Sequence, residues 1–276
     1  MNHSIWAVTL GSVCLLGSPV MAADYWAEAG VTGCKIWSDT PVDTVIATWS
    51  GPCEDDKASG IGSLVWIEGG DLLATYRGGM RGGKLNGPGL LVVKAESGDG
   101  YDQLEAIFVD GEPAGPGAIA TAKGEQFSGT FLGGSKDGFG TVTDADGNFY
   151  EGTFIDGLPA GFGYLKGADG ETYLGQLVAG TFDGDGLLLH ANGEFYAGEF
   201  SKGLADGVGR YEDNDGGTYT GLFASGKPNG AGTYFTADGT AIQGRFIDQK
   251  PDGQILITSP DGSQTIETWN KGEKVQ

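Results

Sequence analysis

The sequence predicts an all-β protein: an elongated single-sheet antiparallel β-meander solenoid of about nine 23-residue hairpin repeats, with an N-terminal disulfide cap. Glycine makes up 53 of the 276 residues, well above the roughly 7% of an ordinary globular chain. The glycines follow no Gly-X-Y period; they alternate with regularly spaced aromatic residues, and Asx-Gly pairs recur at the same interval. A repeat that requires glycine at fixed positions accounts for all three observations.

Residues 1–22 are predicted to be a signal peptide. The segment from Ile5 to Leu16 is largely apolar, carries no Asp, Glu, Lys or Arg, and is too short to span a bilayer comfortably. Small residues then lead to Ala22, after which signal peptidase cleavage is expected. A buried N-terminal strand or helix is the alternative. We therefore expect an exported protein, either periplasmic or secreted.

The two remaining cysteines, Cys34 and Cys53, are predicted to form a disulfide, because an even number of cysteines in an exported chain favours one. A zinc site needs more ligands, and a redox pair prefers Cys-x-x-Cys spacing. Closing this loop stabilises the fold by about 3 kcal/mol. We assign residues 23–48 to an N-terminal cap and residues 49–276 to the repeat array, since a terminal repeat has only one neighbour and needs protection.

The repeat is clearest in five consecutive units of 23 residues. We count positions from the first aromatic residue of each unit as zero. Glycines then recur at positions 2, 7, 11 and 13, and a second large apolar residue lies at position 4. The five units begin at Phe127, Tyr150, Tyr173, Tyr196 and Tyr219. Less regular units extend the array from Trp49 to about Gly272.

This pattern resembles the MORN repeat family (membrane occupation and recognition nexus), whose core reads Tyr-x-Gly-x-Phe-x-x-Gly-x-x-x-Gly-x-Gly. Five uninterrupted copies at a constant step make the resemblance specific. It implies that some relatives contact anionic phospholipids, and that such repeats accompany lipid kinase or methyltransferase domains in larger proteins. Here the repeats and caps use up the chain, so no catalytic domain is expected.

Strand geometry assigns the repeat to two faces. Positions 0, 2 and 4 share one face of a strand, as do positions 11, 13 and 15 of the next. Aromatic rings on that face can lie over neighbouring glycines and pack closely without a second layer. Positions 19 and 20 carry Asx-Gly pairs such as Asp169-Gly170, and these predict two-residue hairpin turns between units.

The charge of the chain restricts its partners. Asp and Glu number 37 against 16 Lys and Arg, which gives a formal net charge of −21. Such a surface repels nucleic acids and anionic lipid headgroups. We therefore expect no nucleic-acid partner and no binding to anionic membranes, whereas basic proteins, cations and neutral glycans are compatible with the charge.

The sequence contains no recognisable catalytic constellation, so we do not expect an enzyme. His190 lies at position 17 and is predicted to be solvated near a hairpin tip. No Gly-x-Ser-x-Gly elbow, phosphate loop or His-Glu-x-x-His motif is present. Acidic turns such as Asp144–Gly147 lack the glutamate that completes a calcium loop. We therefore expect no metal and no cofactor.

A candidate binding patch lies on the face opposite the predicted core. Its members are Phe139, Phe149, Phe162, Tyr164 and Phe195, with Leu187 and Val208 on the same face, at positions 12, 14 and 22. An apolar island on a polar face is typical of an interaction patch, although sheet twist could instead fold it onto a neighbour. We predict a non-catalytic scaffold of the cell envelope that holds a protein partner, or alternatively one that binds envelope glycan or peptidoglycan. The first and last strands could also pair end to end with another copy.

Overall fold

The structure, a computed structural model, describes residues 25–38 and 41–275. Over these ranges the chain forms 24 β-strands and no helix, so none of the described residues belongs to a helix long and apolar enough to cross a membrane. The predicted signal peptide lies outside the described residues.

The all-β prediction is confirmed, and the strands follow one another as hairpins. Their bounds are β1 Tyr25–Glu28, β2 Lys35–Ser38, β3 Val45–Trp49, β4 Cys53–Glu54, β5 Lys57–Ala58, β6 Gly60–Glu68, β7 Asp71–Arg81, β8 Lys84–Lys94, β9 Tyr101–Val109, β10 Glu112–Ala120, β11 Gln126–Leu132, β12 Ser135–Thr143, β13 Phe149–Ile155, β14 Leu158–Lys166, β15 Thr172–Val178, β16 Thr181–Leu189, β17 Phe195–Ser201, β18 Leu204–Glu212, β19 Thr218–Ala224, β20 Lys227–Phe235, β21 Ala241–Ile247, β22 Lys250–Thr258, β23 Gln264–Asn270 and β24 Glu273–Lys274.

The described chain divides into two compact units. The N-terminal unit comprises residues up to 147 together with 153–158, and the C-terminal unit comprises 148–152 together with 159–275. In the N-terminal unit, β3 pairs with β6, and β6 to β12 then pair in sequence order. In the C-terminal unit, β14 to β24 pair in the same way. All these pairings are antiparallel.

A small sheet caps the start of the array. Its strand order is β1-β2-β5-β4, and the predicted disulfide between Cys34 and Cys53 is confirmed. The cap is joined to the array by backbone hydrogen bonds, since the Trp37 amide donates to the Gly83 carbonyl at 2.9 Å. The cap sheet takes in β4 and β5, which lie beyond Thr48, where the sequence-based cap ends.

The strands keep the 23-residue period of the sequence. Alternate strands of the regular region begin at Gln126, Phe149, Thr172, Phe195, Thr218, Ala241 and Gln264. In each repeat the first strand runs from the residue before position 0 to position 5, and the second from position 8 to position 16. Equivalent residues therefore occupy equivalent places in every hairpin.

The two-residue turns lie at a different place from the one predicted. They occur within each unit at positions 6 and 7, where both residues have positive φ, as in Ala179 (48°) and Gly180 (77°). The Asx-Gly pairs between units instead belong to longer loops, in which Gly170 alone has a positive φ, of 95°. The Asp169 carboxylate there accepts the backbone N–H of Glu171 at 3.0 Å. The prediction of two-residue turns between units was wrong, because an Asx-Gly pair suits both kinds of loop.

Glycines form a continuous row across the C-terminal unit. The paired residues, strand by strand, are Gly163, Gly175, Gly186, Gly198, Gly209, Gly221, Gly232 and Gly244. The ring at position 0 lies over this row: a methyl group on either Gly175 or Gly186 would come within 2.5 Å of the Tyr173 hydroxyl oxygen. Tyr173 itself is only 1% exposed. The predicted packing of aromatic rings on glycines is therefore present.

The tyrosine hydroxyl also has a structural task. The hairpins of Tyr76, Phe127, Tyr173, Tyr196 and Tyr219 change register after position 2, as between Gly175 and Leu177, which leaves the residue at position 3 bulged. The Tyr173 hydroxyl donates to the backbone carbonyl of that residue, Gln176, at 2.8 Å. The tyrosines at 76, 196 and 219 make the same bond over 2.8–3.1 Å. The hydroxyl thus satisfies a carbonyl that the β-ladder leaves without its regular partner.

Replacing Gly175 by alanine tests the role of the glycine row. The added methyl group would lie 2.5 Å from both the Tyr173 hydroxyl and the Gly186 Cα, so either the ring or the backbone must shift. We expect the free energy of unfolding, measured by urea titration, to fall by about 2 kcal/mol, as is typical of overpacking. Gly30→Ala is the matched control, since a methyl group there meets nothing within 4 Å. Equal losses in the two variants would contradict the packing role.

Candidate functional site

The sheet face that carries positions 0, 4 and 15, here called the tyrosine face, contains a cavity in the C-terminal unit. Its volume is about 500 Å³. The aromatic residues that line it include Tyr196, Phe200, Tyr211, Tyr219, Phe223 and Tyr234. Cavities of this size and lining are typical of small-ligand sites. The sequence analysis did not find it, because it treated this face as fully closed by ring-on-glycine packing.

The residue at position 9 explains where the cavity forms. In the repeat of Tyr173, that residue is Phe182, and the two rings stack with centroids 3.6 Å apart and planes 5° from parallel. In the next repeat, the position is occupied by Ala205, which pairs with Phe200 just as Phe182 pairs with Leu177. An alanine lacks the ring that fills this space beside Tyr173. The change from phenylalanine to alanine at position 9 therefore leaves room over the repeat of Tyr196.

Polar groups lie along one margin of the cavity. The Asp213 carboxylate accepts the Tyr234 hydroxyl at 3.0 Å and the backbone N–H of Gly217 at 2.7 Å. The Tyr211 hydroxyl is hydrogen-bonded to Glu194. Burial raises the pKa of Tyr211 to about 12, and Glu194 adds to the effect. The hydroxyls at this margin therefore stay protonated, and two carboxylates face them.

His190 is placed differently from the prediction. Its Nδ1 contacts the Glu171 carboxylate, and the His190 side chain is only 13% exposed. Both residues line the cavity. The prediction of a solvated histidine at a hairpin tip was wrong, because Glu171 lies in the preceding repeat and is brought to His190 by strand pairing. The pair therefore lies on the tyrosine face, at the edge of the cavity.

The N-terminal unit contains a related cluster whose cation belongs to the chain itself. Lys136 occupies position 9 of its repeat, and its Nζ lies 3.0 Å from Glu125 Oε1. The same Nζ lies 5.0 Å from the centroid of the Phe127 ring. Lys136 is only 8% exposed, so both contacts form largely out of water, where charge-assisted hydrogen bonds are strong. This repeat shows that a cation can be held on the tyrosine face.

The opposite face of the sheet carries the residues of the predicted patch. In the N-terminal unit, Phe139 is 62% exposed. In the C-terminal unit, Phe162 is also 62% exposed, whereas Phe149 and Tyr164 are half-buried and contact each other, with ring centroids 6.3 Å apart. Phe195 lies beneath the Arg210 guanidinium, 5.6 Å from its ring centroid.

Further exposed apolar residues extend this surface in the C-terminal unit, and we call the set the apolar face. It consists of Phe162, Tyr164, Leu174, Leu187, Val208 and Leu222. Strand pairing places Leu174 directly between Tyr164 and Leu187, and pairs Val208 with Leu222. The predicted site omitted Leu174 and Leu222, which lie at positions 1 and 3. Their alternation with the buried residues of the same strands was the signal that could have found them.

These features define a class of protein: a β-hairpin repeat protein with an aromatic core on one face and exposed apolar residues on the other. The MORN repeat model matches residues 76–92, 127–149, 150–172, 196–218 and 219–241. The chain therefore contains five MORN repeats, as the sequence pattern predicted. The repeat of Tyr173, with Leu177 in place of phenylalanine, lies between matched segments.

Two solved structures are similar to parts of this chain at low sequence identity and low TM-score. One is the TCP domain of Drosophila melanogaster SAS-4 (dCPAP) in complex with a proline-rich motif of Ana2 (dSTIL), with a TM-score of 0.38 and 16% identity over 56% of this chain and 84% of that one. Another is the wild-type TCP10 domain of Danio rerio CPAP, with a TM-score of 0.38 and 12% identity over 68% and 87%. No curated protein matches the chain significantly. The MORN repeats fit a binding or scaffold role.

The buried tyrosines make the stability of the fold sensitive to alkaline pH. Burial raises the pKa of Tyr76 to about 12 and that of Tyr150 to about 12. It also raises the pKa of Tyr173, where Asp183 adds to the effect. An unfolded tyrosine ionises near pH 10, so between about pH 10 and 12 the unfolded chain binds fewer protons than the folded one. The free energy of unfolding must therefore fall as the pH rises through that window.

We expect urea midpoints that are steady from pH 8 to 9.5 and fall from about pH 10 onwards. Tyr76→Phe should unfold more easily at pH 8, by about 1 kcal/mol, because the Gly79 carbonyl loses its hydroxyl partner. The same variant should lose less stability between pH 10 and 11.5, because it has one ionising group fewer. An identical alkaline loss in wild type and variant would contradict the assignment. Phe127 shows that phenylalanine fits this position.

Proposed function

We propose that the protein is an exported, non-catalytic scaffold that holds a protein partner on the apolar face of its C-terminal unit. The observation that carries the proposal is the exposure of large apolar side chains there, with Phe162 at 62% and Val208 at 58%. Strand pairing sets Leu174 between Tyr164 and Leu187 and sets Val208 beside Leu222, and soluble proteins rarely leave such apolar clusters exposed unless another surface covers them. The residues project from paired strands, which hold them in a fixed spacing.

The charges around the apolar face favour a partner with basic side chains. Asp185 and Glu199 pair across strands β16 and β17, and cross-strand partners share one face of the sheet. Carboxylates thus border the apolar residues. The net charge of −21 would also speed the approach of a basic partner and disfavour an acidic one. The partner we propose therefore combines an apolar centre with a basic surround.

The cell envelope is the proposed location. The segment before Ala22 supports export, and the Cys34–Cys53 disulfide is consistent with an oxidising compartment. The sheet supplies the mechanism of a scaffold: it presents fixed side chains and carries out no chemical step. Binding would then depend on the shape and charge of the apolar face rather than on a catalytic residue.

The test is affinity capture from an envelope extract with the mature chain, residues 23–276, as bait. Wild type should retain one stoichiometric protein, and Phe162→Ser combined with Val208→Ser should reduce its retention at least about tenfold, as expected when the two most exposed contact residues are lost. Thr220→Ala with Thr233→Ala is the matched control on the same face, because these polar residues pair with each other. The control should retain the partner fully.

Two results would reject the proposal. The first is that wild type retains no protein beyond those retained by an unrelated acidic protein. The second is that the Phe162 and Val208 variant retains the partner as well as wild type does, although its unfolding midpoint equals that of wild type. In either case, the exposed rings favour the second candidate, binding to envelope glycan. Phe139 and Phe162 are each 62% exposed, and exposed aromatic rings suit sugar faces. Retention on purified peptidoglycan that is lost in Phe139→Ala with Phe162→Ala would support that candidate.

A further inference from the structure

The internal cation of the N-terminal unit defines an arrangement of three groups. Phe127 is the ring at position 0, Glu125 precedes it by two residues, and Lys136 supplies the ammonium from position 9. The ammonium lies 3.0 Å from the carboxylate and 5.0 Å from the ring centroid. A carboxylate beside an aromatic face therefore forms a cation site on this repeat, and the chain fills it with its own lysine.

The repeat of Tyr196 contains the same ring and carboxylate without the lysine. Glu194 precedes Tyr196 by two residues, and position 9 is Ala205. The cavity of about 500 Å³ opens next to both Tyr196 and Ala205. No ion pair formed by residues 25–38 or 41–275 includes Glu194. Glu194 lies just behind the cavity lining, where its described side-chain contact is the hydroxyl of Tyr211, a lining residue. The place of the lysine is thus taken by a cavity.

We propose that this cavity binds a small organic cation, composed of an ammonium group on an apolar or aromatic body. The ammonium would lie against Tyr196 and Glu194, as Lys136 lies against Phe127 and Glu125. The apolar body would lie among the aromatic rings of Phe200, Tyr219 and Phe223. A ring face attracts a cation most strongly when water is excluded, and a carboxylate in the same place adds a charge-assisted hydrogen bond.

The repeat of Tyr173, which directly precedes that of Tyr196, supports the assignment by contrast. Its carboxylate, Glu171, contacts His190, and its ring is covered by Phe182. In that repeat, side chains of the protein itself therefore contact both the carboxylate and the ring. In the repeat of Tyr196, the carboxylate at Asp213 on the margin of the cavity increases the preference for a cation. The site uses the tyrosine face, so it is independent of the scaffold proposed for the apolar face.

Calorimetric titration at pH 7 with two matched probes tests the proposal. 4-Phenylbutylammonium carries the ammonium, and 4-phenyl-1-butanol is its neutral analogue of similar size. We expect the ammonium to bind at least about tenfold more tightly than the alcohol, since two favourable charge contacts distinguish them. Equal affinities, or no binding of either probe, would overturn the proposal.

Charge variants locate the cation within the cavity. Glu194→Gln should remove most of the preference for the ammonium and leave the binding of the alcohol nearly unchanged. Asp169→Asn is the matched control: it removes one negative charge outside the cavity, and Asn192 occupies the equivalent position 19 in the next repeat. It should keep the preference. If Glu194→Gln and Asp169→Asn show the same preference for the ammonium over the alcohol, the preference comes from the overall negative charge of the protein. That result would overturn the assigned site.

Two substitutions at position 9 test the cavity itself. Ala205→Phe introduces the residue that fills the previous repeat, and it should abolish the binding of both probes. Ala205→Lys would rebuild the internal arrangement of Lys136, so it should abolish ammonium binding and raise the thermal midpoint. If the ammonium probe still binds to either variant in its folded form, the proposal is overturned. Circular dichroism of each variant confirms that it is folded.

Discussion

The contact between an aromatic ring and a pair of glycines is the interaction on which the rest of the fold depends. A single sheet has no second layer to bury its side chains, so the ring at position 0 lies flat on its own backbone. Only glycine allows this, because a methyl group at Gly186 would come within 2.5 Å of the Tyr173 hydroxyl. The glycines must then pair with each other across strands, and their pairing holds every hairpin in one register.

The ring and the glycines are constrained, whereas position 9 carries side chains of different size and charge. This position faces the ring at position 0, so its side chain decides what the tyrosine face does. Phe182 fills the face, Lys136 places a charge on it, and Ala205 leaves a cavity. None of the three alters the backbone pairing of its hairpin. The same fold therefore yields a packed, a charged or an open repeat. A change of one side chain at position 9 is enough to alter what a repeat can bind.

The sequence predicted the features that depend on the 23-residue period of the repeat and on the alternation of side chains along each strand. The aromatic face and the exposure of Phe162 follow from the repeat and are present in the structure. The Cys34–Cys53 disulfide, which was predicted from the number of cysteines, is present as well. The turn between units was wrong because Asp169-Gly170 is compatible with two loop types, and local residues do not distinguish them. The contact of His190 with Glu171 joins two repeats, so it depends on strand register. The cavity was missed because it arises from the volume missing at Ala205, whereas the pattern recorded only the large residues.

The two faces can be altered separately because neighbouring residues of a strand point in opposite directions. Leu187 is 42% exposed on the apolar face, whereas Leu188, the next residue, lines the cavity. A change at one leaves the glycine row that holds the other in place. Binding of a protein on one face and of a small cation on the other then need not compete for any side chain. The coupling between them, if both bind, can pass only through the shared sheet, whose paired glycines and buried rings leave little freedom to shift.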